Sequence, residues 1–227
     1  WPAYDVLYCL VKDNHQFDDA GGGGGIYINT SSFGMPTLIE GCDVEGNTSN
    51  VRGGGMNLQG EALITVRNCR IFNNQTTKDE TGEYLKGGSI YNQGTTNSII
   101  VNNKIYNNGG NVYITPRMFA NNTVVKNYGQ IYVAGANNTS TFANNIIWGL
   151  ETSDGSKPTG IGSAPAELKA YNNASYHSMP EGKLWQVQGT ILFSSNVTNG
   201  VIKEEDVKEG TCGSGPRFQD DLMTSFC

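Results

Sequence analysis

Two short phrases recur down this 227-residue chain, and internal repeats of this kind limit the folds that it can adopt. The first phrase is a glycine cluster followed by an apolar strand of a few residues. Its copies are GGGGGIYI (21–28), RGGGMNLQG (52–60), KGGSIYNQG (86–94), GGNVYI (109–114) and YGQIYVAG (128–135). Equivalent positions lie 30, 34, 22 and 19 residues apart, so we expect the strands to stack while the loops differ in length.

The second phrase lies between copies of the first: an apolar strand, small or amide residues, one apolar residue and then Asn. Its copies are IEGCDVEGN (39–47), VRNCRIFNN (66–74), VNNKIYNN (101–108), ANNTVVKN (120–127) and ANNIIWG (143–149). It predicts an inward column of Val44, Ile71, Ile105, Val124 and Ile147. It also predicts a turn column of Asn47, Asn74, Asn108 and Asn127, whose side chains hydrogen-bond from coil to coil.

Short Ile-, Val- and Tyr-rich units with period-two alternation, and no helical apolar stripe, predict an all-β chain. A repeat of about 20 residues holds three short strands and three turns, as in a right-handed parallel β-helix, a solenoid. We expect six or seven coils, with residues 1–20 as an entering coil or N-terminal cap, 21–176 as the coils, and 177–227 as an irregular last rung and C-terminal cap.

The first phrase assigns each of its residues a direction. The inward positions are Ile26, Ile28, Met56, Leu58, Ile90, Val112, Ile114, Ile131 and Val133, with Asn92 as a polar exception. The glycines before the strand allow positive φ at a corner.

The composition restricts the partners that the chain can bind. A net charge of -6 with sparse Lys and Arg argues against nucleic-acid or anionic membrane surfaces. No apolar run of about 18 residues is present, so we expect no transmembrane segment. Because the chain starts at Trp1 without a signal peptide, we interpret it as a mature or trimmed piece of an exported protein, extracellular or on the cell surface.

The GGGI, GGGM, GGSI and GGNV phrases alternate with an Ile or Val three residues before Asn, preceded by Asn-Cys or Asn-Asn. They resemble the parallel β-helix repeats of bacterial surface and secreted proteins. Polymorphic outer-membrane repeats are similar in style, although Ile or Val here replaces their Phe. NNIIWG (144–149) and the later GPRF (215–218) look like the choice-of-anchor Q proteins of Bacteroidetes. The resemblance implies the fold, but it leaves the function open, because the same fold carries lyases, glycosidases and adhesins.

The outward residues of the first phrase are the candidate binding residues for a polysaccharide or cell-surface glycan. Aromatic rings pack on sugar rings, and amides hydrogen-bond to hydroxyl groups. We place substrate binding at Tyr27, Asn57, Gln59, Tyr91, Gln93, Tyr113, Thr115 and Tyr132. The insertion at residues 75–85 and residues 29–37 would enclose this face in a groove. The alternative is that outward Tyr residues only favour strands and stack on one another, and a second outward column of Phe72, Tyr106, Val125, Trp148 and Tyr176 weakens the sugar interpretation.

We assign no catalytic residue, no metal and no cofactor. The outward columns of the first phrase carry no acid or base, whereas β-helix lyases and hydrolases need them. The charges nearest to the face are Asp79, Glu80, Glu83 and Lys86 on the insertion, with Arg52 and Arg117 at strand edges. We therefore favour a non-catalytic binding module, with a polysaccharide lyase or glycoside hydrolase, a stalk or adhesin, and a surface protein partner as alternatives. Asp43, Arg70 and Lys104 form one column, which we interpret as a charge ladder between rungs.

The five cysteines fall into three groups. Cys42 and Cys69 occupy equivalent positions of consecutive repeats, so we expect buried thiols on neighbouring rungs. Cys212 and Cys227 lie in a loop-rich tail and could close a disulfide in an oxidising compartment, while Cys9 has no evident partner.

Overall fold

A computed structural model describes residues 4–17, 22–30, 34–78, 80, 82, 84–93, 97–129, 131–133, 139–148, 150, 161–163, 167–171, 173–176, 185–187, 190–194, 217–219 and 222–225. Cys212, Cys227, Asp79 and Glu83 lie outside the described residues, as do the side chains of Gln93, Trp148 and Tyr176. The predicted Cys212–Cys227 disulfide and most of the predicted C-terminal cap therefore stay predictions.

Sheet 1 has eight strands, one from each successive turn of the chain. They are β1 (Tyr4–Leu7), β5 (Thr37–Glu40), β9 (Ile64–Arg67), β13 (Ile99–Val101), β16 (Met118–Ala120), β19 (Thr139–Ala143), β22 (Glu167–Tyr171) and β25 (Thr190–Ser194). Every strand pairs in parallel with its equivalent in the next coil, as β1 does with β5 and β22 with β25.

Sheet 2 follows sheet 1 after a corner and has seven strands. They are β2 (Leu10–Lys12), β6 (Asp43–Glu45), β10 (Arg70–Phe72), β14 (Lys104–Tyr106), β17 (Thr123–Val125), β20 (Ile146–Trp148) and β23 (Ala174–Tyr176). A short three-stranded parallel sheet then joins β3 (His15–Gln16), β7 (Thr48–Ser49) and β11 (Gln75–Thr76).

Sheet 3 completes each coil, again with seven strands. They are β4 (Ile26–Asn29), β8 (Met56–Gln59), β12 (Ile90–Gln93), β15 (Val112–Ile114), β18 (Ile131–Val133), β21 (Ile161–Ser163) and β24 (Trp185–Val187). Only β26 (Arg217–Gln219) and β27 (Leu222–Ser225) pair antiparallel among the described strands. The predicted all-β parallel solenoid is confirmed. Strands β24 and β25 continue the stack beyond residue 176, and the proposed division into caps and coils stays a prediction.

The core contains the two predicted inward columns and a third column from sheet 1, which includes Ile39, Val66 and Ile100. Val44, Ile71, Ile105, Val124 and Ile147 are all completely buried, and so are Met56, Leu58, Ile90 and Ile131. Phe119 and Phe142 stack in the same core with ring centroids 5.0 Å apart. Each such aliphatic side chain stabilises the fold by roughly 1.5–3 kcal/mol through burial.

Asn92 is buried at an inward position and its amide is fully used there. Its Oδ1 accepts hydrogen bonds from Ser98 Oγ at 2.8 Å and from the Thr115 backbone N–H at 3.1 Å. Its Nδ2 donates to the Leu58 carbonyl at 3.3 Å. The predicted polar exception therefore connects sheet 3 to the chain that leads into sheet 1.

The predicted asparagine column at the end of sheet 2 is confirmed as a ladder of buried hydrogen bonds. The backbone N–H and Nδ2 of Asn47 both donate to Asn74 Oδ1, at 3.0 and 2.9 Å. Asn74 donates in the same way to Asn108, and Asn108 to Asn127. The Asn74 Nδ2 also donates to the Val44 carbonyl at 2.8 Å. One side chain thus satisfies backbone groups of two coils. We name this column ladder 1.

A second ladder, which we did not predict, lies at the corner between sheets 1 and 2. It consists of the fully buried Asn103, Asn122, Asn145 and Asn173. The N–H and Nδ2 of Asn103 donate to Asn122 Oδ1 at 3.0 and 3.1 Å, and the pattern repeats down the column. We name this column ladder 2.

The Asn-Asn dipeptides of the sequence have a conformational cause. In the pairs for which the structure describes both residues, the second is a ladder asparagine and the first has positive φ. The residues with positive φ include Asn68, Asn73, Asn102, Asn107, Asn121, Lys126 and Asn144. Asparagine tolerates this left-handed region better than other residues that carry a Cβ. The first amide is consequently exposed and the second is buried.

The glycine clusters before sheet 3 have two separate functions. Gly53, Gly87 and Gly129 have positive φ, between 68° and 78°, as predicted for a corner. The glycines that follow the first two, Gly54 and Gly88, lie against the backbone of the neighbouring coil. A Cβ on Gly88 would come within 1.9 Å of the Gly109 carbonyl oxygen, so the coils could not approach to strand spacing with any other residue there.

Replacing Asn74 by Ala should lower the free energy of unfolding by about 2–4 kcal/mol, because the buried Asn47 N–H loses its acceptor and the Val44 carbonyl loses its donor. Asn73→Gly is the matched control. Asn73 is exposed with φ 57°, so glycine keeps the backbone conformation and should cost less than about 1 kcal/mol. Urea denaturation followed by circular dichroism measures both. Equal stability of the two variants would contradict the role given to ladder 1.

Candidate functional site

The predicted tyrosine column on sheet 3 is in register. Tyr27 pairs with Asn57, Asn57 with Tyr91, Tyr91 with Tyr113 and Tyr113 with Tyr132. The rings of Tyr91 and Tyr113 stack with centroids 5.1 Å apart, and those of Tyr113 and Tyr132 with centroids 5.0 Å apart. The structure therefore brings these residues together on one face, as predicted.

This face is much less accessible than the sequence suggested. Asn57, Tyr91, Tyr113 and Thr115 are buried, with relative exposures of 0%, 3%, 9% and 4%. Tyr27 is 48% exposed, and Gln59 and Tyr132 are half-buried. The expectation of an exposed ladder is thus wrong for the four buried residues.

Two cations from neighbouring loops cover the tyrosine stack. Arg52 Nη1 donates to the Tyr91 hydroxyl at 3.0 Å, and the guanidinium carbon lies 5.1 Å from the centre of that ring. Lys86 Nζ lies 5.2 Å from the centre of the Tyr113 ring. Burial of the stack raises the pKa of the Tyr113 hydroxyl. This face of sheet 3 therefore stabilises the fold through cation–π contacts and ring stacking.

The predicted amide column is also engaged within the protein. Gln59 Nε2 donates to Asn57 Oδ1 at 3.1 Å, and Thr115 Oγ1 donates to the Asn92 carbonyl at 3.1 Å. The first of these hydrogen bonds lies within strand β8, and the second connects neighbouring coils. The roles of these residues in ligand binding stay predictions, together with that of Gln93.

The described ends of the insertion at residues 75–85 pair as the two arms of a hairpin at the corner of ladder 1. Lys78 and Tyr84 pair antiparallel, the Leu85 N–H donates to the Thr77 carbonyl at 3.0 Å, and Thr76 Oγ1 donates to the Leu85 carbonyl at 2.7 Å. Tyr84 contacts Tyr128 edge to face, with centroids 4.6 Å apart. The hairpin thus places the Tyr84 ring at the corner of ladder 1. The chain then continues into the loop that carries Lys86 over the tyrosine stack.

A cleft of about 410 Å³ lies at this corner and spans three coils. One row of its lining is formed by Asn73, Asn107 and Lys126, the exposed residues with positive φ that precede the asparagines of ladder 1. A parallel row contains Gln75 and Tyr128 with a glycine between them. The volume lies within the range of small-molecule and cofactor pockets, which is roughly 300–1,000 Å³.

The glycine of the second row is what admits the aromatic ring. A Cβ on Gly109 would lie 2.9 Å from Tyr84 ring carbons, so any other residue would displace the ring. Tyr84 therefore packs over Gly109 and against Tyr128, and Lys78 Nζ lies 4.7 Å from the centre of its ring. We name the cleft the corner cleft.

Sequence reasoning missed the corner cleft because loop conformation does not follow the repeat period. Two signals point to it in retrospect. The Asn-Asn dipeptides that the structure describes expose their first amide. The coil after the insertion is the one in which a glycine, Gly109, follows the asparagine of ladder 1.

Outside the corner cleft, ion pairs join neighbouring coils at Lys12–Glu45, Arg67–Glu40 and Arg70–Asp43. Arg70 Nε donates to Asp43 Oδ1 at 2.6 Å, and this hydrogen bond lowers the pKa of the Asp43 carboxyl. Lys104 lies in register beside Arg70, so the predicted charge ladder is present. Of the candidate catalytic charges, Glu80 is exposed and Lys86 covers Tyr113.

The remaining observations on the surface concern the second aromatic column, metal ligands and a membrane span. In the second aromatic column Phe72 and Tyr106 stack with centroids 4.9 Å apart. Within the described ranges, no group of three or more His, Cys, Asp or Glu side chains is placed to hold a metal ion. The part of the chain that the structure covers also contains no helix long and apolar enough to cross a membrane.

Comparison with known proteins gives one match. A family model described as a right handed beta helix region matches residues 6–174, well over half of the chain. No curated protein and no solved structure matches. The match agrees with the parallel stack, and it supplies the handedness that the strand pairings alone leave open.

Replacing Tyr91 by Ala should lower the free energy of unfolding by about 3 kcal/mol or more, because a buried ring is removed from a stack. Tyr27→Ala, on the same column but half exposed, should cost less than about 1 kcal/mol. Thermal unfolding of the two variants beside the parent chain provides the comparison. A Tyr91→Ala variant that melts with the parent would show that the stack contributes nothing to stability.

Proposed function

Because this chain belongs to the right-handed β-helix family, we propose that it is an exported or cell-surface module that binds a polysaccharide in the corner cleft and does not cleave it. The observation that carries the proposal is the lining of the cleft, where an aromatic ring held by a hairpin lies beside a row of exposed amides. Sugar rings present apolar faces and hydroxyl edges, and this lining offers a counterpart for each.

The aromatic part of the site is positioned before any ligand arrives. Tyr84 is fixed by its edge contact with Tyr128, by Lys78 over its ring and by the close approach to Gly109. A ring that is already ordered loses little conformational freedom on binding, which favours affinity.

The polar part of the site repeats with the coils. Asn73 and Asn107 occupy equivalent positions one coil apart, and strands in adjacent coils are about 4.8 Å apart. Asn73, Asn107 and Lys126 therefore span about 10 Å along the solenoid axis. A row of equivalent donors and acceptors suits a polymer of repeating units better than a single compact metabolite.

The charge of the lining supports an acidic or neutral polymer. Lys126 is an exposed cation at one end of the row, and none of the described lining residues is a carboxylate. Hydrolysis of glycosides ordinarily uses a pair of carboxylates, so binding is the function that these side chains support. Tyr27, Gln59 and Tyr132 remain accessible on sheet 3, where a surface protein partner could bind without contacting the corner cleft.

Burial of the tyrosine stack favours a second candidate function. Tyr91 and Tyr113 stabilise neighbouring coils in the way that a stalk or adhesin shaft requires. In that case the solenoid would serve only as a spacer, and the corner cleft would bind nothing.

Replacing Tyr84 by Ala should weaken binding to the recognised polysaccharide about tenfold, because the packing surface for a sugar ring is lost. The measurement is a polysaccharide array with neutral and uronate-containing polymers, followed by calorimetric titration of the best one. Tyr27→Ala is the control and should bind as the parent chain does. Loss of binding in Tyr27→Ala but not in Tyr84→Ala would place the binding site on sheet 3 instead of in the corner cleft. If the intact chain binds no polymer, the stalk or adhesin shaft is the function that is left.

Replacing Lys126 by Gln should weaken binding of a uronate polymer about two- to fivefold, the effect expected for one exposed ion pair, and leave a neutral polymer unaffected. Lys104→Gln removes the same charge from sheet 2 and should change neither affinity. Titrations at low and high salt make the comparison. If both substitutions weaken binding of the uronate polymer equally, the polymer is attracted by the overall charge of the protein and not by a contact in the corner cleft.

A further inference from the structure

Three cysteines occupy equivalent positions in the first three coils. The carbonyl of Cys9 accepts the Asp43 N–H, that of Cys42 accepts the Arg70 N–H, and that of Cys69 accepts the Lys104 N–H, each at 2.9 Å. The strands on both sides confirm the register, since Leu7 pairs with Glu40 and Leu10 with Asp43. Cys9, for which the sequence suggested no partner, therefore lies next to Cys42.

The cysteines continue the column of ladder 2 towards the N-terminus. The Cys69 N–H donates to Asn103 Oδ1 at 2.9 Å, which is the bond that ladder 2 makes at every later rung. A thiol is only a weak acceptor and cannot replace the amide in this role. The first three coils consequently lack the side-chain bridge that connects the later coils at this corner.

All three thiols adopt the same arrangement, and Cys69 Sγ contacts the Arg67 carbonyl at 3.2 Å. Cys9 Sγ contacts the Leu7 carbonyl at 3.2 Å, and Cys42 Sγ contacts the Glu40 carbonyl at 3.4 Å, in both cases the residue two positions earlier. Cys42 Sγ also lies 3.3 Å from the Val6 carbonyl of the first coil. Adjacent parallel strands are about 4.8 Å apart, which falls within the Cα separation of roughly 4.4–6.8 Å that disulfides adopt.

We propose that Cys9 and Cys42 form a disulfide that joins the first coil to the second when the protein meets a low-molecular-weight disulfide. The Cys9 thiolate attacks one sulfur of that disulfide, which forms a mixed disulfide and releases one thiolate. The Cys42 thiol then loses its proton to solvent and attacks Cys9 Sγ, which releases the second thiolate. Two protein thiols are oxidised, one small disulfide is reduced, and the released thiolates take up the two protons.

Cys9 is the thiol that an oxidant can reach. It is exposed, whereas Cys42 and Cys69 are buried. Burial raises the pKa of the Cys42 thiol, and that of Cys69 to about 12, so neither begins the exchange. No ladder asparagine bridges the first two coils at this corner, so a local opening between them lets Cys42 Sγ reach Cys9 Sγ and complete the reaction.

The test is to incubate the full chain with oxidised glutathione, block the remaining thiols and map the peptides without reduction. We expect most chains to contain a peptide that links Cys9 to Cys42. We also expect tryptic cleavage after Lys12 to leave its N-terminal fragment attached until a reductant is added. In Cys42→Ser, Cys9 should retain one glutathionyl group, because the resolving thiol is missing. Cys69→Ser should form the Cys9–Cys42 link as the parent chain does.

Three results of this experiment would contradict the Cys9–Cys42 disulfide. A Cys42–Cys69 link, a Cys9 that keeps its glutathionyl group in the parent chain, or a Cys9 that stays unmodified would each overturn the proposal. The decisive result comes from the parent chain, so it does not depend on the folding of the variants. It is also independent of whether the corner cleft binds a polysaccharide.

Discussion

The side-chain amide of a buried asparagine is the interaction on which this solenoid depends. Each coil turns corners at which backbone groups cannot join a sheet, and a buried N–H or carbonyl without a partner costs about 1–3 kcal/mol. Asn74 meets this demand by accepting two hydrogen bonds from Asn47 and donating to the Val44 carbonyl and to Asn108. Each ladder residue supports the coil before it and is supported by the coil after it, so the corner repeats as regularly as the apolar core.

The same constraint shapes the outside of the corner. A ladder asparagine can point inward only if the residue before it turns the chain with positive φ, and that residue then faces solvent. Asn73, Asn107 and Lys126 are exposed for this reason. Where Gly109 leaves space in the next row, Tyr84 packs against the backbone. The corner cleft is thus formed by the elements that hold the coils together, so its lining is ordered in the absence of ligand.

The sequence repeats were enough to predict which side chains point inward and which residues are paired between coils. The inward column from Val44 to Ile147, ladder 1 and the register of the tyrosines follow from period two and from equivalent positions. Ladder 2 could have been predicted from the Asn-Asn dipeptides by the same reasoning. The burial of Tyr91 and Tyr113 could not, because a strand pattern gives the direction of a side chain and not what a loop places over it. Arg52, Lys86 and Tyr84 come from loops whose conformations depend on tertiary contacts.

The central claim is that ladder 1 makes the corner as rigid as the strands, and amide hydrogen exchange followed by NMR tests it most directly. The backbone amides of Asn47, Asn74 and Asn108 each donate to the side chain of the next ladder residue. They should exchange within about tenfold of the rates of core strand amides in the same coils. Exchange of these three amides at the rates of solvent-exposed loops, with the neighbouring strands still protected, would contradict the claim.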